Sequence, residues 1–254
     1  MNRNIPLNHP RLKSLLVRDK LVSGFERGLV VAQGLIAHGR GEAFDYLLGE
    51  QTTRTARGAI TAASAELCLA RHPVISINGN VAAICAKEIV ELSKVTNALL
   101  EVNLFYRDEK RERSIERVLI NNGAGKVYGV GSRASARISE LHSERRRVDP
   151  DGIYMADVVI VPLEDGDRAE ALVKMGKKII AIDLNPISRT AKVAQITIVD
   201  NIVRVMPTMV YIARELSLDD EATLTKIIKE FDNKKNLEES LRIIQGAKNG
   251  LEEL

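Results

Sequence analysis

Residues 177–192 read KKIIAIDLNPISRTAK and carry the clearest signal for the fold of this chain. The apolar run 179–182 has the length and composition of a buried strand, and it ends abruptly at Asp183. An amide, a hydroxyl and a guanidinium then follow within a few residues, on Asn185, Ser188 and Arg189. A simple turn does not need so many polar groups, so this stretch predicts a buried strand whose end faces a ligand.

Similar apolar runs recur along the chain and alternate with segments of helical length and pattern. Six strands are predicted: PVISI, ALLEVNLF, KVYGVG, ADVVIVPL, KKIIAID and AQITIVD, which begin at residues 73, 98, 126, 156, 177 and 194. Strands that alternate with helices are typical of a mostly parallel sheet covered on both faces. We therefore expect an α/β fold with a Rossmann-like, mostly parallel sheet flanked by helices.

Both ends of the chain have helical patterns. In the N-terminal part we expect Pro10 in a first helical turn and Arg40, which two glycines flank, in a turn between two helices. After residue 217 the pattern predicts two polar amphipathic helices. No long linker interrupts the chain, so we expect one α/β domain, residues 1–254, made of an N-terminal helical segment (1–72), a Rossmann-like core (73–217) and C-terminal helices (218–254).

The composition argues against several classes of protein. The net charge is only +3 over 254 residues, aromatic residues make up 4%, and there is no Trp, whereas nucleic-acid binders usually carry a basic excess and stacking platforms. No apolar run approaches the ~20 residues that span a bilayer, and the first residues lack the apolar core of a secretion signal. We expect a cytoplasmic protein without nucleic-acid or membrane partners, in which Cys68 and Cys85 are reduced.

Two common kinds of site are not indicated by the sequence. The four histidines share no ligand-like spacing with the two cysteines, so no metal site of the protein is predicted. The glycines in NNGAGKVYGVG (121–131) follow a helix and precede a strand, which is the reverse of a P-loop, and we interpret them as a helix cap. The turn NGNVAA (78–83) carries no GxGxxG fingerprint of dinucleotide binding.

Four polar clusters directly follow apolar runs: residues 78–80, 103–107, 183–190 and 200–201. Ligands of parallel sheets bind at the carboxyl ends of the strands, where these clusters would meet. For residues 78–80, a plain turn explains the pattern equally well, because Asn and Gly are common turn residues. The basic run 145–147 is open to two interpretations, a solvated loop or a lid over an anionic ligand.

The third cluster has the chemistry of half a nucleotide pocket. It combines hydrogen-bonding groups for a ribose or base with a guanidinium and a hydroxyl for phosphate oxygens, on Asp183, Asn185, Arg189 and Thr190. At the next strand end, Asn201 again offers a hydrogen-bonding side chain, and Ile202 adds an apolar surface. Polar caps on two turns are the simpler alternative.

Five long motifs are unusual enough to compare with known families: VISINGNVAA, EVNLFYR, DPDGIYMADVVIVPLEDGDR, AIDLNPISRTA and RDKLVSGFERGLVVAQGLIAHGRGEAFDYLLGE. They resemble the archaeal phosphopantothenate synthetase family, also called 4-phosphopantoate–β-alanine ligases, over essentially the whole chain. The resemblance implies a homodimeric ligase of coenzyme A biosynthesis. Such an enzyme uses ATP with Mg²⁺ to condense 4-phosphopantoate with β-alanine through an acyl-adenylate, and releases 4′-phosphopantothenate, AMP and diphosphate.

The same resemblance implies a set of ATP contacts: Arg18, Arg40, Asp183, Leu184, Asn185, Arg189, Thr190, Asn201 and Ile202. Both steps of the reaction bring anions together, so we expect Arg40 and Arg189 to act in catalysis by neutralising charge. Placement at or near strand ends suggests a second set for 4-phosphopantoate: Asn78, Asn80, Asn103, Arg107 and Arg133. The alternatives are a non-catalytic adenine-nucleotide-binding module and a dinucleotide-dependent oxidoreductase on the same type of sheet.

Overall fold

The structure is a computed structural model that describes residues 6, 8, 9, 11–163 and 166–249. Pro10 therefore lies outside the described residues. The helices are α1 (Leu12–Glu26), α2 (Ala32–Leu47), α3 (Arg54–Leu69), α4 (Gly79–Thr96), α5 (Glu109–Asn121), α6 (Gly166–Lys174), α7 (Arg189–Val193), α8 (Ile202–Leu216), α9 (Glu221–Glu230) and α10 (Asn233–Asn249). The strands are β1 (Pro73–Ile77), β2 (Leu99–Val102), β3 (Ala136–Arg137), β4 (Arg147–Val148), β5 (Val158–Pro162), β6 (Lys178–Ile182) and β7 (Ile196–Ile198).

Five of these strands form one parallel sheet, in the order β2-β1-β5-β6-β7. Strands β3 and β4 form a short antiparallel hairpin apart from it. The large sheet confirms the prediction of an α/β fold with a parallel sheet between helices. Its order reverses direction between β1 and β5, which is the topological switch point of a doubly wound sheet.

The sheet separates two hydrophobic cores. On β1, Ile75 and Ile77 point into the larger core, beneath α1, α3, α4, α5 and α8. Val74 points into the smaller core, which α6 and part of the segment 136–156 cover. The β-branched runs that predicted strands are thus buried on both faces, as parallel sheets require. No helix in the described part of the chain is both long and apolar enough to cross a membrane.

Strand β7 lies at one edge of the sheet, and α10 covers it with side-chain amides. The N–H of Thr197 donates to Oδ1 of Asn233 at 2.9 Å, and Nδ2 of Asn236 donates to the Thr197 carbonyl at 2.8 Å. An uncovered edge strand would offer these backbone groups to another chain. The two amides therefore take the place of a further strand, and the two predicted C-terminal helices are confirmed in α9 and α10.

The prediction of a strand at KVYGVG is wrong. Tyr128 makes one isolated bridge with Glu101 of β2, and its N–H donates to the Leu100 carbonyl at 2.8 Å. The chain then leaves the sheet because Gly129 and Gly131 adopt φ values of +72° and +60°. Such angles lie outside the range of a strand, so the two glycines end the pairing after one residue.

The prediction of a turn at Arg40 is also wrong. Helix α2 runs without interruption from Ala32 to Leu47, so the two helices expected on either side of Arg40 form one helix. Each glycine inside a helix costs about 1 kcal/mol relative to alanine. Close packing compensates at Gly34, where an added Cβ would lie 2.3 Å from Oδ1 of Asn80. Arg40 therefore extends from the side of a helix.

Residues 145–147, for which a solvated loop or a lid was expected, form neither. A single 3₁₀ turn, Glu144–Arg146, leads directly into β4. The carbonyls of Arg145 and Arg147 accept hydrogen bonds from Nδ2 of Asn103 at 3.0 and 3.2 Å. These contacts fix the segment against the end of β2. They could not be predicted from local sequence, because the partners are 42 and 44 residues apart.

Candidate functional site

A cleft opens at the carboxyl edge of the sheet, between the ends of β6 and β7 and one face of α2. We call it the sheet-edge cleft, and its cavity volume is about 90 Å³. Its walls contain Ala37, His38, Arg40, Gly41, Glu42, Phe44, Leu163, Ile182, Asp183, Leu184, Asn185, Asp200, Asn201 and Ile202. Two of the four predicted polar clusters thus meet in one cavity, as the rule for parallel sheets requires.

The corner after β6 presents Asp183 in a fixed position. Its carboxylate accepts the N–H of Asn185 at 2.9 Å and the hydroxyl of Ser188 at 2.5 Å. Ser188 in turn caps the start of α7 by accepting the N–H of Ala191 at 2.9 Å. This chain of hydrogen bonds holds the carboxylate at the cleft wall, while Leu184 adds an apolar surface beside it.

The corner after β7 is joined to α2 by buried charges. Arg204 lies between Asp45 of α2 and Asp200, at 2.5 Å from each carboxylate. Asn201 caps α8 through the N–H of Val203 at 3.2 Å and donates to Asp45 at 2.7 Å. Since Asp45 and Asp200 are 5% and 1% exposed, these bonds set the spacing between the two walls of the cleft.

Helix α2 supplies the second wall through residues three and four positions apart. Ala37, Arg40, Gly41 and Phe44 recur at this spacing and therefore face the same side of the helix. Gly41 faces the corner after β6, because a Cβ there would lie at van der Waals distance, 3.5 Å, from the side chain of Leu184. Arg40 is exposed and contributes to the wall opposite Asp183.

Arg18 does not line the sheet-edge cleft but lies behind one of its walls. Its Nε donates to both carboxylate oxygens of Glu42, at 2.9 and 3.0 Å, and its Nη2 lies 3.3 Å from the hydroxyl of Tyr46. The hydrogen bond with Glu42 is the main cause that raises the pKa of Arg18. Arg18 therefore orients Glu42, which does line the cleft.

A second cleft adjoins the first on the other side of Glu42. We call it the α1–α2 cleft, and it shares His38, Glu42 and Asn201 with the sheet-edge cleft. Its remaining walls contain His9, Arg11, Leu12, Lys13, Ser14, Val17, Asp45, Tyr46, Glu50, Val203 and Arg204. The α1–α2 cleft was not predicted from the sequence, because the cleft forms only when α1, α2 and the start of α8 pack together.

Arg189 and Thr190 lie at the start of α7, outside the walls of both clefts. Nη1 of Arg189 is 2.7 Å from Oδ1 of Asp167, and both side chains are largely exposed. Thr190 is fully buried within the helix. The structure therefore brings together six of the nine positions expected to contact ATP, and Arg18, Arg189 and Thr190 lie near that group rather than in it.

Asn78 and Asn80 lie at the topological switch point. Oδ1 of Asn78 caps α4 through the N–H of Val81 at 3.0 Å, and its Nδ2 reaches the Pro162 carbonyl at 3.4 Å. Nδ2 of Asn80 donates to the Gly34 carbonyl of α2 at 2.8 Å. Both amides thus connect β1 to elements that border the sheet-edge cleft.

The other three residues expected to bind 4-phosphopantoate form a packed network at the end of β2. Arg107 pairs closely with Glu112 and donates to the Gly129 and Arg147 carbonyls. Nε of Arg133 lies 3.1 Å from Asp149, which also accepts the N–H of Gly129. The third residue, Asn103, is fully buried. These polar groups are used within the protein.

Two buried charges complete this network, which we call the β2 network. Glu101 accepts the N–H groups of Asp149 and Ile153 at 2.9 and 2.6 Å, and burial raises its pKa to about 8. Arg168 donates to Ser76 at 2.6 Å and to Asn103 at 2.8 Å, and burial lowers its pKa to about 10. Arg168 was not among the residues predicted from the sequence, and its burial at 1% exposure becomes evident only when α6 packs on the sheet.

A parallel, doubly wound sheet with a cleft at its carboxyl edge is the arrangement in which many α/β proteins bind small ligands. The sequence profile described as Phosphopantothenate/pantothenate synthetase matches residues 55–247. The chain belongs to this family. The family resemblance found in the sequence is therefore confirmed.

Curated relatives match almost the whole chain. A 4-phosphopantoate–β-alanine ligase of Thermococcus kodakarensis is 54% identical over 238 residues, which are 94% of this chain and 91% of the relative. A protein of the same name from Methanosarcina mazei is 50% identical over 242 residues, or 95% and 94% of the two chains.

Proposed function

We propose that this protein is a 4-phosphopantoate–β-alanine ligase of coenzyme A biosynthesis. It condenses 4-phosphopantoate with β-alanine, uses ATP, and releases 4′-phosphopantothenate, AMP and diphosphate. The observation that carries this proposal is the convergence of Arg40, residues 183–185 and residues 201–202 on one cleft. These are positions at which the family resemblance implies contacts with ATP, and they come from three separate parts of the chain.

ATP binds in the sheet-edge cleft with its adenosine against the two strand corners. Leu184 and Ile202 offer apolar surfaces for the base, and the fixed carboxylate of Asp183 accepts hydrogen bonds from the ribose hydroxyls. Arg40 extends from the opposite wall toward the phosphates. A guanidinium suits this role because its planar donors match phosphate oxygens in pairs.

The reaction has two steps, and neither requires a covalent nucleophile of the protein. The carboxylate of 4-phosphopantoate attacks the α-phosphorus of ATP, so that diphosphate leaves and an acyl-adenylate forms. The amine of β-alanine then attacks the acyl carbon, and AMP leaves. Arg40 acts in the first step by neutralising the charge that gathers on the phosphate, and Arg189 is the second arginine to which we assign this role.

Mg²⁺ enters this scheme together with ATP. Within residues 6, 8, 9, 11–163 and 166–249, no group of three or more His, Cys, Asp or Glu side chains could hold a metal ion. Magnesium is commonly held by substrate phosphates with only one or two carboxylates. Asp183 and Asp200 line the cleft, but their carboxylates already accept hydrogen bonds from Ser188 and Thr52. The triphosphate would therefore supply most of the ligands of the ion, and the ion would further neutralise the triphosphate.

4-Phosphopantoate binds beside the nucleotide, and we assign its contacts to Asn78, Asn80, Asn103, Arg107 and Arg133. The position of Asn78 next to Pro162 supports this placement, since Leu163 follows directly and lines the sheet-edge cleft. Arg107 and Arg133 already have partners in the β2 network, so their assignment is the part most in need of a test.

The active form is a homodimer in the cytoplasm. Helices α1 and α2 expose large apolar side chains, among them Phe25 at 46% and Ile36 at 74%, and a second copy would cover such a surface. Cys68 and Cys85 are free cysteines, which suits a reducing compartment. Equilibrium sedimentation of the purified protein tests the oligomeric state.

An omission assay tests the ligase activity. Purified protein is mixed with ATP, Mg²⁺, 4-phosphopantoate and β-alanine, and AMP is measured with each component left out in turn. We expect AMP release in the complete mixture, with a loss when either carbon substrate is omitted. A well-folded protein that binds ATP but forms no AMP would instead be a nucleotide-binding module.

A further inference from the structure

His38 lies on α2 at the point where the two clefts meet. It lines both clefts, yet only 13% of its side chain is exposed. Among the described residues its Nε2 has no hydrogen-bond partner, and the nearest carboxylate oxygen, Oε1 of Glu42, is 3.7 Å away. A buried nitrogen with an unused lone pair or proton is costly unless it has a function.

The α1–α2 cleft has charges that complement a small amino acid. Arg204 lies between Asp45 and Asp200, and their negative charges balance its positive charge. Arg11 and Lys13 lie on the opposite wall, at the start of α1, where Arg11 donates to the hydroxyl of Tyr46 at 2.8 Å. An ω-amino acid could therefore place its carboxylate at this wall and its amine toward the sheet-edge cleft.

The second reaction step needs a proton acceptor. The amine of β-alanine is an ordinary alkylamine, which is protonated near pH 7 and has no lone pair to attack with. Neither of the two arginines assigned to charge neutralisation can accept a proton. A base near the junction between the nucleotide and the amino acid would meet this need.

We propose that β-alanine binds in the α1–α2 cleft with its carboxylate toward Arg11 and Lys13, and that Nε2 of His38 accepts the proton of its amine. This inference rests on the proposed ligase function. The amine lone pair forms the C–N bond to the acyl carbon, the bond from that carbon to the AMP oxygen breaks, and AMP leaves with the electron pair. One ammonium proton passes to Nε2 of His38 and frees the lone pair, and Glu42 stabilises the imidazolium. The second proton, lost once the C–N bond has formed, passes to the phosphate of the departing AMP.

The charges around His38 favour this role. Burial lowers the pKa of His38 below its ordinary value, so the ring is neutral and able to accept a proton at pH 7. Glu42 and Asp45 of the same helix act in the opposite direction, while Arg18 of α1 lowers the pKa further. Arg204 of α8 faces the same cleft, but its charge is balanced by two carboxylates.

The test compares two amines on the same acyl-adenylate. Hydroxylamine is neutral near pH 7 and attacks without a base, so it forms a hydroxamate that can be measured beside the β-alanine product. For His38→Gln we expect β-alanine turnover to fall about 10²-fold or more, with hydroxamate formation within about twofold of the wild type. His38→Asn serves as a second variant, and exposed His142→Gln is the matched control.

Two further readouts separate a chemical role from a structural one. The wild-type rate with β-alanine should fall at acidic pH as His38 becomes protonated and should level off near neutral pH, whereas the rate of His38→Gln should keep rising through this range as free amine accumulates. Lys13→Ala should raise KM for β-alanine without changing KM for ATP. Both results support the proposal.

Three results would overturn the proposal. An equal loss with both amines would show that His38 acts on nucleotide binding or folding, and an unchanged rate with both would show that it has no role in proton transfer. In either case the ligase function would stand. If the wild type formed neither product, the proposed function itself would fail, and this inference with it.

Discussion

The sheet-edge cleft and the β2 network begin from the same sequence signal and end as different structures. Each starts where a buried strand gives way to acids, amides and arginines. After β6 and β7, side chains such as Asp183 and Asn201 use some of their hydrogen-bonding capacity on capping and still face a cavity. After β2, Asn103 and Arg107 donate to the carbonyls of residues 145 and 147, which lie far away in the chain, and Arg107 also pairs with Glu112.

The difference shows that polar residues at a strand end identify an edge, not a binding site. A ligand needs polar groups that still have free capacity and a concave surface around them. Helix α2 supplies that surface at β6 and β7, whereas the segment 136–156 fills the corresponding space beside β2. Four substitutions test whether the two regions differ in this way.

The largest effect is expected from Glu101, whose titration should make the free energy of unfolding depend on pH. Its folded-state pKa of about 8 lies above the ordinary 4.5, so the stability that its protonated form contributes is present below pH 4.5 and is lost as the pH rises through 8. The shift sets an upper limit of about 5 kcal/mol. Relative to Glu101→Gln, the wild type should lose stability between about pH 5 and pH 8.

Urea unfolding of both proteins at several pH values measures this change. The contrast between two proteins removes the contribution of every other titrating group. A constant difference from pH 5 to pH 8 would mean that the carboxyl stays ionised, held by the two backbone N–H groups that it accepts.

Arg107→Ala should lower the free energy of unfolding by about 3–5 kcal/mol, because it leaves the buried carboxylate of Glu112 without its partner. Arg113→Ala is the control, because Arg113 is an exposed arginine on α5, the helix of Glu112, and it should change stability by less than about 0.5 kcal/mol. The folded variant also tests the substrate assignment. Unchanged KM for 4-phosphopantoate and unchanged turnover would remove Arg107 from that set.

Arg40→Ala should lower turnover by about 10²–10³-fold, equivalent to about 3 kcal/mol of transition-state stabilisation. The melting temperature should stay within a few degrees of the wild type, because the side chain is exposed on α2. Arg40→Lys keeps the charge and should recover part of the rate. A normal rate in Arg40→Ala would contradict the assignment of the sheet-edge cleft to ATP.

The smallest stability effect is expected for Arg189→Ala. Its ion pair with Asp167 is exposed on both sides, so its loss should cost less than about 1 kcal/mol. Asp167→Ala breaks the same pair from the other side and is the matched control. The catalytic role predicted for Arg189 requires that only Arg189→Ala lowers turnover, and equal turnover in both variants would remove that role.

The sequence predicted the parts that depend on local pattern. Runs such as 73–77 and 178–182 are β-branched, short and bounded by turn residues, and each became a strand of the parallel sheet. KVYGVG has the same apolar character, but whether its glycines take positive φ depends on the neighbouring β2 and Glu101. The strand was therefore predicted where none of that length exists.

Much of the candidate site was predictable only through the family resemblance. Composition and spacing identified Asp183, Asn185 and Asn201, because these follow strands directly. Arg40 was implied by the resemblance, while its helical setting was missed, since two flanking glycines usually indicate a turn. His38 and Asp45 gave no signal, because their roles depend on contacts with α1 and α8.

Because the side-chain amides of α10 cover the edge strand β7, a truncation that removes α10 should expose that edge. A product that stops after Phe231 would lack Asn233 and Asn236 and would present the Thr197 backbone as an open template. The exposed β7 strands of two such molecules could pair with each other. The truncated form should therefore aggregate at concentrations at which the full chain remains in solution. Helix α10 thus prevents the β7 strands of two molecules from pairing edge to edge.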